Sequence, residues 1–170
     1  MAISDRIAVM KKGKIKQVGT PNELYMSPQN VFVANFIGES NFLEGYILEK
    51  GAKETSVEIR GGIRVQASNG TAEKGDRVVL AVRPEAFVLQ ETSNKAKNSI
   101  AGTVERVTFE GTTIRYEIML QNQDRIVIVK PSMTGRWVKI EEKVYVHFLP
   151  ENARVFPYPD AGLKEELAVE

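Results

Sequence analysis

The pattern of apolar and polar positions changes its period once, close to residue 41, and this change divides the chain into two regions. Before it, the apolar residues 7–10 predict a short strand, and residues 15–18 predict a second. The turn between them, residues 11–14, contains Gly13, which can adopt positive φ without steric cost. The chain is therefore predicted to begin with a β-hairpin whose rim is basic.

The first of two predicted short helices has a clear start signal. Thr20 and Glu23 have the spacing of a capping box, in which the side chain of each accepts a hydrogen bond from the backbone N–H of the other. Pro21 suits the first helical position, where its missing N–H costs nothing. We therefore predict that a helix begins at this point.

A second start signal, Ser-Pro-Gln-Asn at residues 27–30, predicts another short helix that ends at Gly38. Phe32 and Phe36 are four residues apart and lie on one face of this helix. Aromatic residues at this spacing are typical of a packed face, so we expect both rings to meet a core or a partner.

Beyond residue 41 the alternation is typical of strands, and it continues to Phe148. Residues 78–82 form a continuous apolar run, which indicates a strand covered on both faces. Gly61 and Gly62 predict a two-residue hairpin turn, and residues 90–99 predict a polar loop. Many short strands predict a mainly β fold, a small barrel or sandwich. The predicted core residues are Val57, Ile59, Val79, Leu80, Val104, Ile114, Tyr116, Ile118, Val127, Val144 and Val146.

The composition excludes several classes of function. The 170 residues carry a net charge of +1, contain no cysteine and include one histidine, His147. Thiol chemistry and zinc sites built on cysteine or several histidines are therefore excluded within one chain. Near-neutral charge and 8% aromatic residues speak against a nucleic-acid groove. No apolar run approaches the ~20 residues of a membrane helix, so we expect a cytoplasmic protein without direct membrane insertion.

Two loops carry candidate contact residues. Arg83, Pro84 and Glu85 follow the apolar strand directly, so that a rigid turn bears both charges. This cluster is either a structural corner with an internal ion pair or a functional contact. Trp137 lies in a loop, where it is either a core plug or an anchor of an interface.

The most specific pattern lies in the first 41 residues, in the stretches SDRIAVM (4–10), GKI (13–15), GTP (19–21) and FVANFIG (32–38). It closely resembles the end of the nucleotide-binding domain of ABC importer ATPases, in the group that serves maltose-type sugars, polyamines, iron and sulfate. Residues 42–160 resemble the TOBE regulatory domain of that family, an OB-like β-barrel, and residues 161–170 form an acidic, weakly helical tail. Residues 39–42 are most similar to the spermidine/putrescine branch. The TOBE resemblance is carried by residues 41–45, 75–78, 82–85, 102–104, 111–113 and 144–147.

The resemblance implies a regulatory and dimerisation module without the ATP-hydrolysing core. The phosphate-binding pattern G-x-x-x-x-G-K-[ST] is absent, so no catalytic residue is assigned. No cofactor or metal is expected in this chain, since ATP and magnesium belong to the full-length family. The implied partners are a second copy and, through the ATPase, the membrane permease subunits at the inner membrane. The alternative is a stand-alone TOBE domain that senses an oxyanion or metabolite.

Two consequences concern surfaces. If residues 1–41 are a remnant of the nucleotide-binding domain, the face bearing Phe32 and Phe36 should fold back on the β-domain or bind a second chain. In a homodimer, Arg83 of each copy could meet Glu85 of the other across a two-fold axis. Such exposed ion pairs contribute little, ~0.2–1 kcal/mol each, so nearby apolar groups must supply the affinity.

Overall fold

A computed structural model describes residues 4–93 and 97–168, and over these residues the fold is mainly β, with every strand pairing antiparallel. The predicted hairpin is confirmed as strands β1 (Ile7–Lys11) and β2 (Lys14–Gly19). Its turn places Lys12 and Gly13 at positive φ, 49° and 74°. The hairpin forms a two-stranded sheet separate from the rest.

Two short helices follow, and the capping box of the first is confirmed. In α1 (Pro21–Met26), the Glu23 N–H donates to Thr20 Oγ1 at 3.2 Å, and the Thr20 N–H donates to Glu23 Oε2 at 2.8 Å. The predicted start of α2 is three residues too early. The helix spans Val31–Ile37, and its N-cap is Asn30, whose Oδ1 accepts from the Val33 N–H at 3.0 Å.

Ser27 is not part of α2 because it caps the end of α1, where its N–H donates to the Glu23 carbonyl at 2.8 Å. The predicted end of α2 is confirmed, since Gly38 is its C-cap residue.

The remaining strands form two five-stranded sheets. Sheet A has the order β12-β6-β3-β4-β5, and sheet B has the order β10-β9-β8-β11-β7. The strands are β3 (Asn41–Lys50), β4 (Glu54–Ile59), β5 (Ile63–Ser68), β6 (Arg77–Val82), β7 (Val88–Gln90), β8 (Ile100–Phe109), β9 (Thr113–Leu120), β10 (Arg125–Pro131), β11 (Lys143–His147) and β12 (Ala153–Pro157).

The main core lies between the two sheets, and the alternating pattern placed most of it correctly. All eleven predicted core residues are buried except Val127, which is half-buried. Its neighbours Ile126 and Ile128 face the core instead. The prediction for Val127 is therefore wrong by one position, because successive side chains of a strand point to opposite faces.

Strand β6 is covered on both faces, as its continuous apolar run predicts. Val78, Leu80 and Val82 belong to the main core between the sheets. Val79 and Ala81 point to the opposite face and join a second cluster with α2. Sheet A therefore carries the N-terminal helices on its outer surface.

Two buried asparagines join the sheets. Asn41, in β3 of sheet A, donates from Nδ2 to the Val127 carbonyl at 2.8 Å and accepts from the Val127 N–H at 2.7 Å. Asn98 accepts from the Gln66 N–H at 2.6 Å and donates to the Phe148 carbonyl at 3.0 Å. Each side-chain amide thus acts as a peptide group that continues one sheet toward the other.

Two further differences concern a turn and a loop, whereas the predicted helical character of the C-terminal tail is confirmed. The turn predicted at Gly61 and Gly62 contains three residues, because Ile59 pairs with Ile63 and Arg60 joins the turn. Strand β7 begins at Val88, before the predicted loop at 90–99, of which residues 94–96 lie outside the described residues. The predicted tail contains a helix, α3 (Leu163–Leu167). In the described part of the chain no helix is both long and apolar enough to cross a membrane.

Asn41→Ala should lower the free energy of unfolding by about 2 to 4 kcal/mol, since it leaves the N–H and the C=O of Val127 without their partner. Urea denaturation followed by tryptophan fluorescence measures the change. Gln121→Ala, at an exposed turn, is the matched control and should change stability by less than about 0.5 kcal/mol. Equal losses in the two variants would contradict this role of Asn41.

Candidate regulatory site

Arg83 lies directly after β6, where the next residue makes the turn rigid. Pro84 is buried and opens a short 3-10 turn over residues 84–86. The backbone of Arg83 is extended, with φ −68° and ψ 145°, as expected for a residue that precedes proline. The Arg83 side chain consequently reaches back to the end of α2.

The guanidinium of Arg83 forms hydrogen bonds with several acceptors at the C-terminal end of α2. The last carbonyls of a helix lack N–H partners and carry the negative end of the helix dipole, so a cation is favoured there. Nη1 of Arg83 lies 2.9 Å from the Ala34 carbonyl, 2.9 Å from the Glu39 carbonyl and 2.9 Å from Ser40 Oγ, and it also contacts the Gly38 carbonyl.

Gly38 allows this approach because a side chain there would meet the guanidinium. A Cβ at Gly38 would lie 3.2 Å from Arg83 Nη1 and 3.3 Å from Tyr25 Cε2. The Tyr25 ring covers the guanidinium at 4.5 Å in a cation–π contact. Burial lowers the pKa of Arg83, yet an arginine remains protonated at neutral pH.

Glu85, on the other side of Pro84, contacts the same part of the chain. The Tyr25 hydroxyl donates to the Glu85 carboxylate. Burial, followed by this hydrogen bond, raises the pKa of Tyr25, so the phenol stays protonated and continues to donate. Within residues 4–93 and 97–168 no ion pair joins Arg83 to Glu85.

The predicted corner therefore holds the N-terminal segment, residues 4–40, against sheet A. The sequence singled out residues 83–85, but the predicted partners of Arg83 and Glu85 were each other or a second copy of the chain. An ion pair of Arg83 and Glu85 across a two-fold axis remains a prediction, and here both side chains already have partners within the chain.

Two further arginines hold the same junction, and sequence reasoning did not identify either. Arg154 of β12 donates to the Met26 carbonyl at the end of α1, and burial lowers its pKa. Arg115 of β9 makes a bidentate contact with Glu39, with Nη1 at 2.6 Å from Oε2. The hydrogen bonds from Arg115 lower the pKa of Glu39, which keeps that carboxylate charged.

A cavity of about 230 Å³ lies at this junction. Arg83 and Arg154 are both part of its wall, with Glu85 and Glu151. Positive and negative groups are balanced in this wall, and both guanidiniums are bonded to carbonyls. The cavity lies between the N-terminal segment, represented by Tyr25 and Ala34, and the β-region, represented by Ala81 and Arg154.

Phe32 and Phe36, which were predicted to share one packed face of α2, differ in their burial. Phe32 is buried against Val9 and Leu24 of the hairpin and α1, whereas the Phe36 side chain is 49% exposed. The rings still stack, with centroids 5.7 Å apart. The residues of α2 that fold back on sheet A are instead Val31 and Ala34.

Trp137 is exposed and is therefore not a core plug, and its role as an interface anchor remains a prediction. Its indole is 46% exposed, stacks on Phe109 at 5.4 Å and donates from Nε1 to the Ser132 carbonyl at 3.1 Å. The neighbouring Arg136 holds the loop through Glu91 at 2.6 Å and Glu142 at 2.8 Å. Trp137 in the loop and Phe109 at the end of β8 therefore form an exposed aromatic pair.

The hairpin leaves one apolar face uncovered. Met10 and Ile15 are cross-strand neighbours, with exposures of 51% and 61%, and Val18 is 43% exposed. The opposite face of the hairpin, with Val9, packs on the helices. Among the residues that the structure describes, no group of three or more acidic or histidine side chains could hold a metal ion.

Comparison with known sequences gives a consistent set of relatives. Residues 80–156, from β6 to β12, match the TOBE domain family. The chain is 31% identical to the spermidine/putrescine import ATP-binding protein of Trichodesmium erythraeum, over 89% of the chain and 42% of that protein. It is 34% identical to the Fe(3+) ions import ATP-binding protein of Fusobacterium nucleatum, over 92% of the chain and 40% of that protein.

Among solved structures, the cytoplasmic molybdate-binding protein ModG is similar, with a TM-score of 0.60 over 68% of this chain and 94% of that one. At 18% identity this likeness concerns the fold alone, and it confirms the OB-like TOBE architecture. The chain spans about two fifths of the length of the curated relatives it matches, 42% and 40% for the two above. Residues 80–156 match the TOBE domain family, and the similarity to ABC importer ATP-binding subunits extends beyond that region, over 89% and 92% of the chain.

Proposed function

We propose that this chain is the regulatory portion of an ABC importer ATP-binding subunit, and that the importer transports a polyamine. The relatives named for spermidine/putrescine import support the polyamine assignment. In this proposal residues 1–41 belong structurally to the ATP-binding portion, residues 42–160 are the TOBE domain and residues 161–170 follow it. The absence of a phosphate-binding pattern supports a non-catalytic role for the chain itself.

The observation that carries the proposal is the uncovered face of the hairpin. Strands β1 and β2 form a separate two-stranded sheet, and such a sheet is at best marginally stable on its own. Its apolar residues occupy both faces, which is typical of strands inside a larger covered sheet. The helices cover one face, so Met10, Ile15 and Val18 form a surface for the ATP-binding portion.

In this proposal, the contacts around Arg83 transmit a movement of the ATP-binding portion to the TOBE domain. The hairpin and the helices contact each other through Val9, Leu24 and Phe32, and Arg83 joins the end of α2 to β6. In the assembled importer the subunit acts on the cytoplasmic side, peripheral to the inner membrane, and reaches the permease subunits through its ATP-binding portion.

We also place the contact between two copies at Trp137. Arg83 and Glu85 are occupied within the chain, whereas Trp137, in a loop, and Phe109, at the end of β8, form an exposed aromatic pair. Tryptophans presented in this way are common among the residues that dominate binding energy. This surface can meet its own copy across a two-fold axis.

Stand-alone sensing of an oxyanion or metabolite is the alternative function. Its only structural support is the fold likeness to a molybdate-binding protein. Saturable binding of molybdate by the purified chain, together with no capture of an ATP-binding portion, would favour this alternative over the regulatory role.

The proposed function is tested by capture. The part of the Trichodesmium erythraeum relative that lies outside the match is co-expressed with this chain, and the complex is isolated through a tag on this chain. We expect the two to co-purify, because the hairpin face is buried in the complex. Ile15→Glu should abolish capture, and Val88→Glu, at a similarly exposed apolar strand position, should not. Capture that survives Ile15→Glu would contradict the proposed surface.

Self-association is tested separately, by sedimentation velocity over a wide range of concentrations. We expect a weak homodimer, and Trp137→Ala should raise its dissociation constant about 30-fold, equivalent to about 2 kcal/mol at such an anchor. Val88→Ala is the control and should leave the constant unchanged. A monomer at every concentration, or a dimer indifferent to Trp137, would contradict the assignment.

A further inference from the structure

Lys11 is a buried lysine that joins the start of the chain to its end. Its side chain is only 9% exposed. Nζ donates to the Glu165 carbonyl at 3.1 Å, to the Glu166 carbonyl at 2.7 Å and to Glu166 Oε2 at 3.3 Å. The ammonium also lies 4.8 Å from the centre of the Phe32 ring. A lysine is rarely buried unless its charge is paired and bonded, so this contact is specific.

The group that Lys11 binds is the C-terminal end of α3. This helix has five residues, too few to be stable by itself in water. Its last carbonyls have no partners within the helix, and Lys11 supplies both donors and the favourable charge. The side chain of Asn35 in α2 supplies another donor, from Nδ2 to the Leu167 carbonyl at 3.2 Å.

The other face of α3 rests on the outer surface of sheet A. Leu163 and Leu167, four residues apart, pack against the cluster of Val31, Ala34, Val79, Ala81 and Phe156. The helix therefore touches three parts of the molecule at once, namely the hairpin, α2 and sheet A.

We propose that α3 is a strap that ties the hairpin to sheet A and sets the position of the hairpin on the β-region. Lys11, together with a more exposed ion pair of Lys12 with Glu165 at 3.3 Å, is the attachment on the hairpin, and the two leucines are the attachment on the sheet. When the strap releases, the hairpin loses this link, and the apolar cluster beneath α3 opens to solvent. In a regulatory subunit such a release would loosen the path between the two parts of the molecule.

Hydrogen exchange on the complete chain tests the strap, and it requires no ATP-binding portion, so its outcome is independent of the proposed function. Lys11→Met keeps the apolar stem and removes the ammonium. The exchange of the α3 amides, such as Glu166 N–H bonded to the Gly162 carbonyl, should become about tenfold faster or more. Lys14→Met, at the exposed position across the hairpin, should leave α3 unchanged.

The decisive variant changes the residues that attach α3 to sheet A. Leu163→Ala with Leu167→Ala leaves the hairpin sequence intact, yet it should speed exchange of the β1 and β2 amides as much as Lys11→Met does. Combining all three changes should add little, because both ends belong to one link. Amides of β8 and β9 report whether each variant is folded. Unchanged exchange in the hairpin of the leucine variant, with α3 itself exchanging faster, would overturn the strap.

Discussion

The structure depends on one cation at the end of a helix. Arg83 occupies the C-terminal end of α2, where three carbonyls and the Ser40 hydroxyl meet. Nη1 of Arg83 bonds to these acceptors, and the half-buried guanidinium also has the Tyr25 ring over it and the charge of Glu85 nearby. Because Arg83 joins the end of α2 to the turn at Pro84, a shift of either one alone would break these hydrogen bonds. This link holds the N-terminal segment to the TOBE region.

Other polar side chains also bond backbone groups where two parts of the chain meet. Asn41 uses its side-chain amide to complete the backbone of β10, and Arg154 and Lys11 occupy the ends of α1 and α3. All three helices are short, so their stability comes from these ends and from packing on sheet A. Strand β6 is central because one of its faces completes the core between the sheets and the other supports α2. The regulatory proposal follows from this arrangement, in which polar contacts at helix ends connect otherwise separate apolar clusters.

The sequence predicted correctly those features that depend on residues close together in the chain. The capping box of Thr20 and Glu23 and the covered strand at residues 78–82 each follow from a few adjacent residues, and both are confirmed. The failures have distant causes. Val127 points outward because Ile126 and Ile128 face the core between the sheets, and the continuous apolar run at residues 126–129 does not reveal which residues face inward. Phe36 is exposed because sheet A lies against Val31 and Ala34, which no spacing within α2 reveals. The cluster at Arg83 was visible as unusual chemistry, but its acceptors lie more than 40 residues away.

The most direct test of the account is the hydrogen exchange of α2 in an Arg83→Met variant, compared with the wild type and with Arg64→Met at an exposed position of β5. Loss of hydrogen bonds from a charged group costs about 1.5 to 3 kcal/mol each, so the Val33–Ile37 amides should exchange at least tenfold faster in Arg83→Met alone. Arg83→Lys should recover little of the protection, since lysine lacks the planar guanidinium that the Tyr25 ring covers and the second nitrogen that contacts the Tyr25 carbonyl. The account predicts that the amides of β8 and β9 keep wild-type rates throughout. Unchanged protection of α2 in Arg83→Met would contradict the claim that this cation holds the two parts of the molecule together.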